Sequence, residues 1–148
     1  MCFVLYAGTA RPLPRRPWNK EAPDLSIASL TERDVAIKAH FSKPEVQYIG
    51  STSGCSCDFP FVALQKGEWP FFAELEKKDP KQAATDKYNR ESLVGLLRSS
   101  GEETVELYGV WSGDFAEGPR AREDVLLEQV LEPDFRFKER GFYRVKVG

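Results

Sequence analysis

The sequence predicts a single α+β domain over residues 1–148, built on a mixed, mostly antiparallel sheet of about four to five strands with two main helices. Three observations carry that prediction. Short runs rich in β-branched and aromatic residues recur along the chain. Two longer segments carry helix start and stop signals. Neither an internal repeat nor a clean linker divides the chain.

Taken in order, residues 2–7, CFVLYA, are apolar and end at Gly8, which reads as a buried first strand. From Arg11 to Pro23, four prolines and four basic residues exclude both a ladder and a helix, so this arm should wrap the surface, pinned by Trp18. Ser26 to Leu30 alternates as a short strand. Thr31 and Asp34 then form a variant capping box, with Leu30 and Val35 at the staple positions, opening a helix to about Phe41. Pro44 stops it, because proline disfavours helical geometry in the residue before it. His40 falls in the last turn.

Val46 to Ile49 reads as a second strand delivered into the turn Gly50–Gly54. Beyond it, Phe59 to Leu64 reads as extended and Pro70 to Lys77 as helical. Asn89, or an earlier cap, opens the second main helix through Leu93, Leu96 and Leu97, and Gly101 closes it. Thr104 to Trp111 is a strand, Val125 to Leu131 a short helix stopped by Pro133, and Phe135 to Val147 two short strands around Gly141.

Composition narrows the function classes. At 41% hydrophobic residues the chain supplies a real core, and 21 Lys and Arg against 23 Asp and Glu leave a formal charge of −2. No overall field draws it to nucleic acid or to an anionic membrane. Cys2 to Ala7 is too short, and lacks the basic flank, for a signal peptide or a spanning helix. Three cysteines, two of them separated only by Ser56, suit a reducing compartment, so the expected location is the cytoplasm.

The chemistry-bearing candidates are the thiols. A zinc-type site needs about four ligands, commonly Cys thiolate and His nitrogen, and the chain holds three Cys and one His. Cys55 and Cys57 supply half a site. Cys2 is the best third member, because antiparallel pairing of the first strand with residues 46–49 brings its start beside the other strand's end. His40 precedes that strand while Cys55 follows it, a separation well over about 10 Å at 3.3 Å per residue. His40 and Asp58 nonetheless stand as candidates for the fourth position, alongside an exogenous ligand. The expected metal is a zinc- or iron-type ion at Cys2, Cys55, Cys57 and His40.

Three other readings of the thiols stand beside this one. The thiols are incidental in a metal-free interaction or regulatory module; the Cys55–Cys57 pair does redox chemistry through a strained, easily reduced disulfide; or Cys2, exposed by removal of Met1, acts as an N-terminal nucleophile. No oxyanion-hole signature supports the last, and no common catalytic motif is present, so no catalytic residue is assigned. His40 near a helix C-terminus has an adequate structural role in the helix dipole.

Several motifs together resemble a family of small, functionally uncharacterised bacterial proteins. They are Met1-Cys2, Gly8-Thr9 and Pro12-Leu13-Pro14; then His40-Phe41-Ser42-Lys43-Pro44; then Tyr48-Ile49-Gly50-Ser51 leading to Gly54-Cys55-Ser56-Cys57. Glu106 to Trp111 and Pro133 to Arg140 complete the set. The resemblance covers the chain apart from Phe59 to Tyr88. It implies a bacterial cytoplasmic origin and transfers no activity, cofactor or catalytic residue. The family pattern has Gly where this chain has Ser56 and Asp58, which implies a less tight turn here.

Two further features are read as structural. Phe135, Phe137, Phe142 and Tyr143 interleaved with Arg136, Lys138, Arg140, Arg144 and Lys146 suit a half-buried edge strand better than a nucleic-acid surface. The arm's Arg11, Arg15, Arg16 and Lys20 are solvated charge, and Trp69-Pro70-Phe71-Phe72 is a candidate patch for a protein partner, or core.

Overall fold

A computed structural model describes residues 2–62 and 80–148. The class is α+β, as the sequence predicts. Strands β1 (Phe3–Thr9), β2 (Ser26–Ser29), β3 (Glu45–Gly50), β5 (Thr104–Trp111), β6 (Ala121–Leu126) and β8 (Gly141–Lys146) form a six-stranded sheet in the order β2-β3-β1-β5-β8-β6. All its pairings are antiparallel except β6 with β8. The short strands β4 (Phe61–Val62) and β7 (Phe137–Lys138) pair in parallel beside it. The main sheet is larger than expected because residues 121–126 add β6 at one edge.

Strand β1 explains the architecture. Its seven residues are all buried, as expected of a central strand covered on both faces. Phe3, Leu5 and Ala7 point into the larger core with Leu93, Val94 and Leu97 of helix α1 (Pro80–Ser99). Val4 and Tyr6 point the other way, into a second core with Ile37, Tyr108, Val110, Phe115 and Phe142. Gly109 of β5 sits against the Phe3 ring, where an added Cβ would come within 2.3 Å of the ring. Only glycine admits that approach.

Three expectations are corrected. The segment after Thr31 forms only a 3-10 helix, Val35–His40. Asp34 does accept from the Thr31 backbone N–H at 2.6 Å, but Val35 is 54% exposed and no staple forms. Of the two openings expected for α1, Asn89 or an earlier cap, the earlier one holds: the helix spans Pro80–Ser99, and Asn89 lies in its interior with its side chain turned to the sheet-side loop. Residues 121–126 are strand, because Val125 pairs with Val145 in the parallel ladder, and only Leu127–Leu131 coils, as a 3-10 helix. The C-terminal strand is not an edge: β8 lies between β5 and β6 and is buried at four of its six positions. Gly101 does follow α1, at φ 73. The expected helix over 70–77 and the aromatic cluster at 69–72 lie outside the described residues.

Candidate metal centre

The register of the sheet brings the three cysteines together. Leu5 faces Ile49 across β1 and β3, so the start of β1 lies beside the residues that leave β3. On its other side, Cys2 is held at the sheet margin, its carbonyl accepting from Ser112 N–H at 2.7 Å. The chain leaves β3 at Gly50 and turns through Ser51–Gly54, and Cys55 leads into a single 3-10 turn, Ser56–Asp58. The sulfurs of Cys2, Cys55 and Cys57 all lie within 4.8 Å of one another. Tetrahedral metal–sulfur bonds of about 2.3 Å place sulfurs about 3.8 Å apart, so the cluster accepts one ion with a small inward adjustment.

Ser56, the residue between the two thiols, is fully buried and fixes this convergence. Its hydroxyl accepts from the Leu5 N–H at 2.9 Å and donates to the Ile49 carbonyl at 2.7 Å. One side chain thereby ties the cysteine turn to both strands that carry it. With Ser56 turned inward, Cys55 and Cys57 on either side are left half-buried and exposed.

The preceding loop is braced from three directions. Within it, the Cys55 carbonyl accepts from both the backbone N–H and the hydroxyl of Ser51. From α1, Asn89 accepts from the Thr52 N–H at 3.0 Å and donates to the Thr52 hydroxyl at 3.1 Å. From the arm, Trp18 donates its indole N–H to the Thr52 carbonyl at 3.0 Å and lays its ring on Gly54. Gly54 sits at φ 91, in the left-handed region that glycine enters freely. Trp18 therefore pins the arm, as expected, and it does so onto the cysteine loop.

All three cysteines are unbridged thiols. Partial burial acts to raise the pKa of Cys55, but hydrogen bonds from the Ser53 hydroxyl, the Cys57 backbone N–H and the other two thiols outweigh it and leave Cys55 below the ordinary thiol value. Cys57 is pushed up to about 12, first by burial and then by its hydrogen bond to Cys55. Its sulfur faces the Phe3 carbonyl at 4.0 Å. Of Cys55 and Cys57, Cys55 is thus the more readily ionised. Beside it, the Tyr48 phenol is raised by burial and further by the three nearby thiols, against a lowering contribution from its hydrogen bond with Ser56.

The remaining candidates lie elsewhere. His40 does end the 3-10 helix, but its Nε2 is 3.0 Å from the Phe115 carbonyl and its ring packs edge-on to Tyr108, so it is not among the converging groups. The physical reason is the intervening strand β3. Asp58 offers its backbone N–H to Ser51 Oγ at 3.4 Å, and its carboxylate is also outside the cluster. With three Cys and one His in the chain, no fourth thiolate or free imidazole is left to complete the set.

Sequence reasoning missed Ser56, Asn89 and Glu106. Buried Glu106 accepts from the backbone N–H groups of Ser42 and Lys43 and from the Ser42 hydroxyl. It therefore anchors the His-Phe-Ser-Lys-Pro segment. Each is a polar residue in an otherwise unremarkable context, except that Ser56 sits between two thiols. Among the described residues no helix is long and apolar enough to cross a membrane. Comparison of the chain with protein-family models, with curated proteins and with solved structures gives no match.

Proposed function

We propose that this is a bacterial cytoplasmic protein whose Cys2, Cys55 and Cys57 bind one thiophilic ion of the zinc or iron type through three thiolates, with the fourth position open to an exogenous ligand. The observation that carries the reading is the mutual approach of the three sulfurs within 4.8 Å, from segments more than fifty residues apart in sequence. Soft thiolate donors select soft or borderline ions over magnesium and calcium. An open position distinguishes centres that exchange ligands from closed structural ones. Donors spaced for a single ion, rather than for the larger span of an iron–sulfur cluster, favour a mononuclear centre.

A thiol redox role is the second reading. It is favoured by the lowered Cys55 thiol with two partner sulfurs in reach. One experiment separates the two. The untagged protein is purified aerobically and anaerobically, and bound metal is measured by elemental analysis beside free thiols. The metal reading expects one equivalent of ion and three thiols that react only after chelation. No metal in either preparation sinks it, and a reversible disulfide in that case establishes the redox reading. Three permanently reduced, metal-free thiols would leave an interaction module.

A further inference from the structure

The metal reading leaves a mismatch between donors and ion. A zinc-type centre wants about four ligands, and three thiolates around a divalent ion carry a net negative charge. The chain offers three thiols, one histidine already engaged with the Phe115 carbonyl, and no fourth thiol. One class of thiophilic species wants three sulfurs, no fourth ligand and a neutral product: a trivalent metalloid, whose lone pair occupies the fourth direction.

We propose that Cys2, Cys55 and Cys57 form a capture site for trivalent arsenic, taken up as arsenous acid. The inference rests on the same convergence of sulfurs as the metal reading. Each S–H bond breaks as an arsenic–sulfur bond forms, and each thiol proton leaves with one hydroxyl of arsenous acid as water. Three waters are released, arsenic stays trivalent, and no oxidant or reductant takes part. Exposure of Cys2 and Cys57 gives the reagent access. Ser56 holds the cysteine turn against β1 before the reagent arrives, so the third bond forms at high effective concentration.

The test uses the full chain, reduced and stripped of metal, titrated with arsenite and in parallel with cadmium, with protected thiols counted by alkylation and intact mass. The expected result is one arsenic per chain with all three thiols protected. C2S, C55S and C57S should each weaken capture by about a hundredfold or more, the loss expected when one of three linked contacts is removed. Circular dichroism of the variants checks that they fold, and the wild-type thiol count does not depend on them. Protection of only two thiols, or C2S binding arsenite as tightly as wild type, overturns the inference. If cadmium then still engages all three cysteines, the zinc- or iron-type reading stands without it. If neither reagent protects the thiols, both fall.

Discussion

Ser56 shows how one hydroxyl sets the geometry of a site. The Leu5 N–H and the Ile49 carbonyl face a point where the β1–β3 ladder gives way to the cysteine turn, and Ser56 satisfies both. Ser56→Ala leaves a buried donor and a buried acceptor unpaired, at a cost of about 2–6 kcal/mol from two groups at about 1–3 kcal/mol each. Chemical denaturation should show that loss, and zinc affinity should fall with it as the turn loosens from β1. Unchanged stability with unchanged affinity would show that water replaces the hydroxyl in both bonds. Ser56→Gly is the informative companion, since it removes the same bonds and adds backbone freedom.

At the scale of elements, helix α1 is secured by a buried cation as well as by its apolar face. Arg90 is 2% exposed and pairs with Asp86 one turn earlier at 2.7 Å. Its guanidinium also donates to the carbonyls of Val130, Glu132, Pro133 and Phe135, collecting the acceptors left by the 3-10 helix and the turn after it. A planar fork of five donors fits that array, and a lysine ammonium does not. Arg90→Lys should therefore destabilise by about 3 kcal/mol, close to the loss on breaking a buried ion pair. A thermal midpoint within a degree or two of wild type would contradict this account.

Element boundaries were legible where the pattern was local. β1, β2, β3 and β5 follow from short apolar runs bounded by Gly, Pro or polar residues, and the end of α1 follows from Gly101. The misreadings share one cause. Val125–Leu131 has an apolar spacing compatible with a helix, yet its first part is strand because β8 offers a free ladder edge beside it. Likewise β8 carries the aromatic and basic alternation of an edge strand but acquires a neighbour on each side. Periodicity reports which faces are apolar; it does not report how many strands flank them.

For the whole molecule, the three-thiol cluster joins the beginning of β1 to the turn after β3, so an ion bound there would be linked to the global fold. A ligand that binds only the folded chain stabilises it by about 2.7 kcal/mol at a free concentration a hundred times its dissociation constant. Zinc should raise the unfolding midpoint relative to protein in chelator. The sign of the pH dependence follows from the thiols. Binding displaces protons from groups that hold them in the metal-free fold, most firmly Cys57, pushed up to about 12. Affinity, and with it the stabilisation, must rise with pH and fall as protons compete. Calorimetry between mildly acidic and mildly alkaline buffers checks this, and a midpoint shift independent of pH would exclude thiolate ligation.

By itself the sequence determined the class, the buried first strand, the loop that carries Cys55 and Cys57, and the preference for Cys2 over His40 as their third member, with His40 kept as a candidate for the fourth position. These follow from hydrophobic pattern, turn chemistry and the length of one strand, all of which act over a few residues. The tertiary structure alone decided that the three sulfurs approach within 4.8 Å, that His40 is taken by the Phe115 carbonyl, and that Ser56, Asn89 and Trp18 hold the loop in place. Those facts depend on ladder register and on hydrogen bonds between residues 34 to 75 positions apart. Such partners are selected by where buried donors and acceptors meet once the sheet has closed, and no local pattern encodes that meeting.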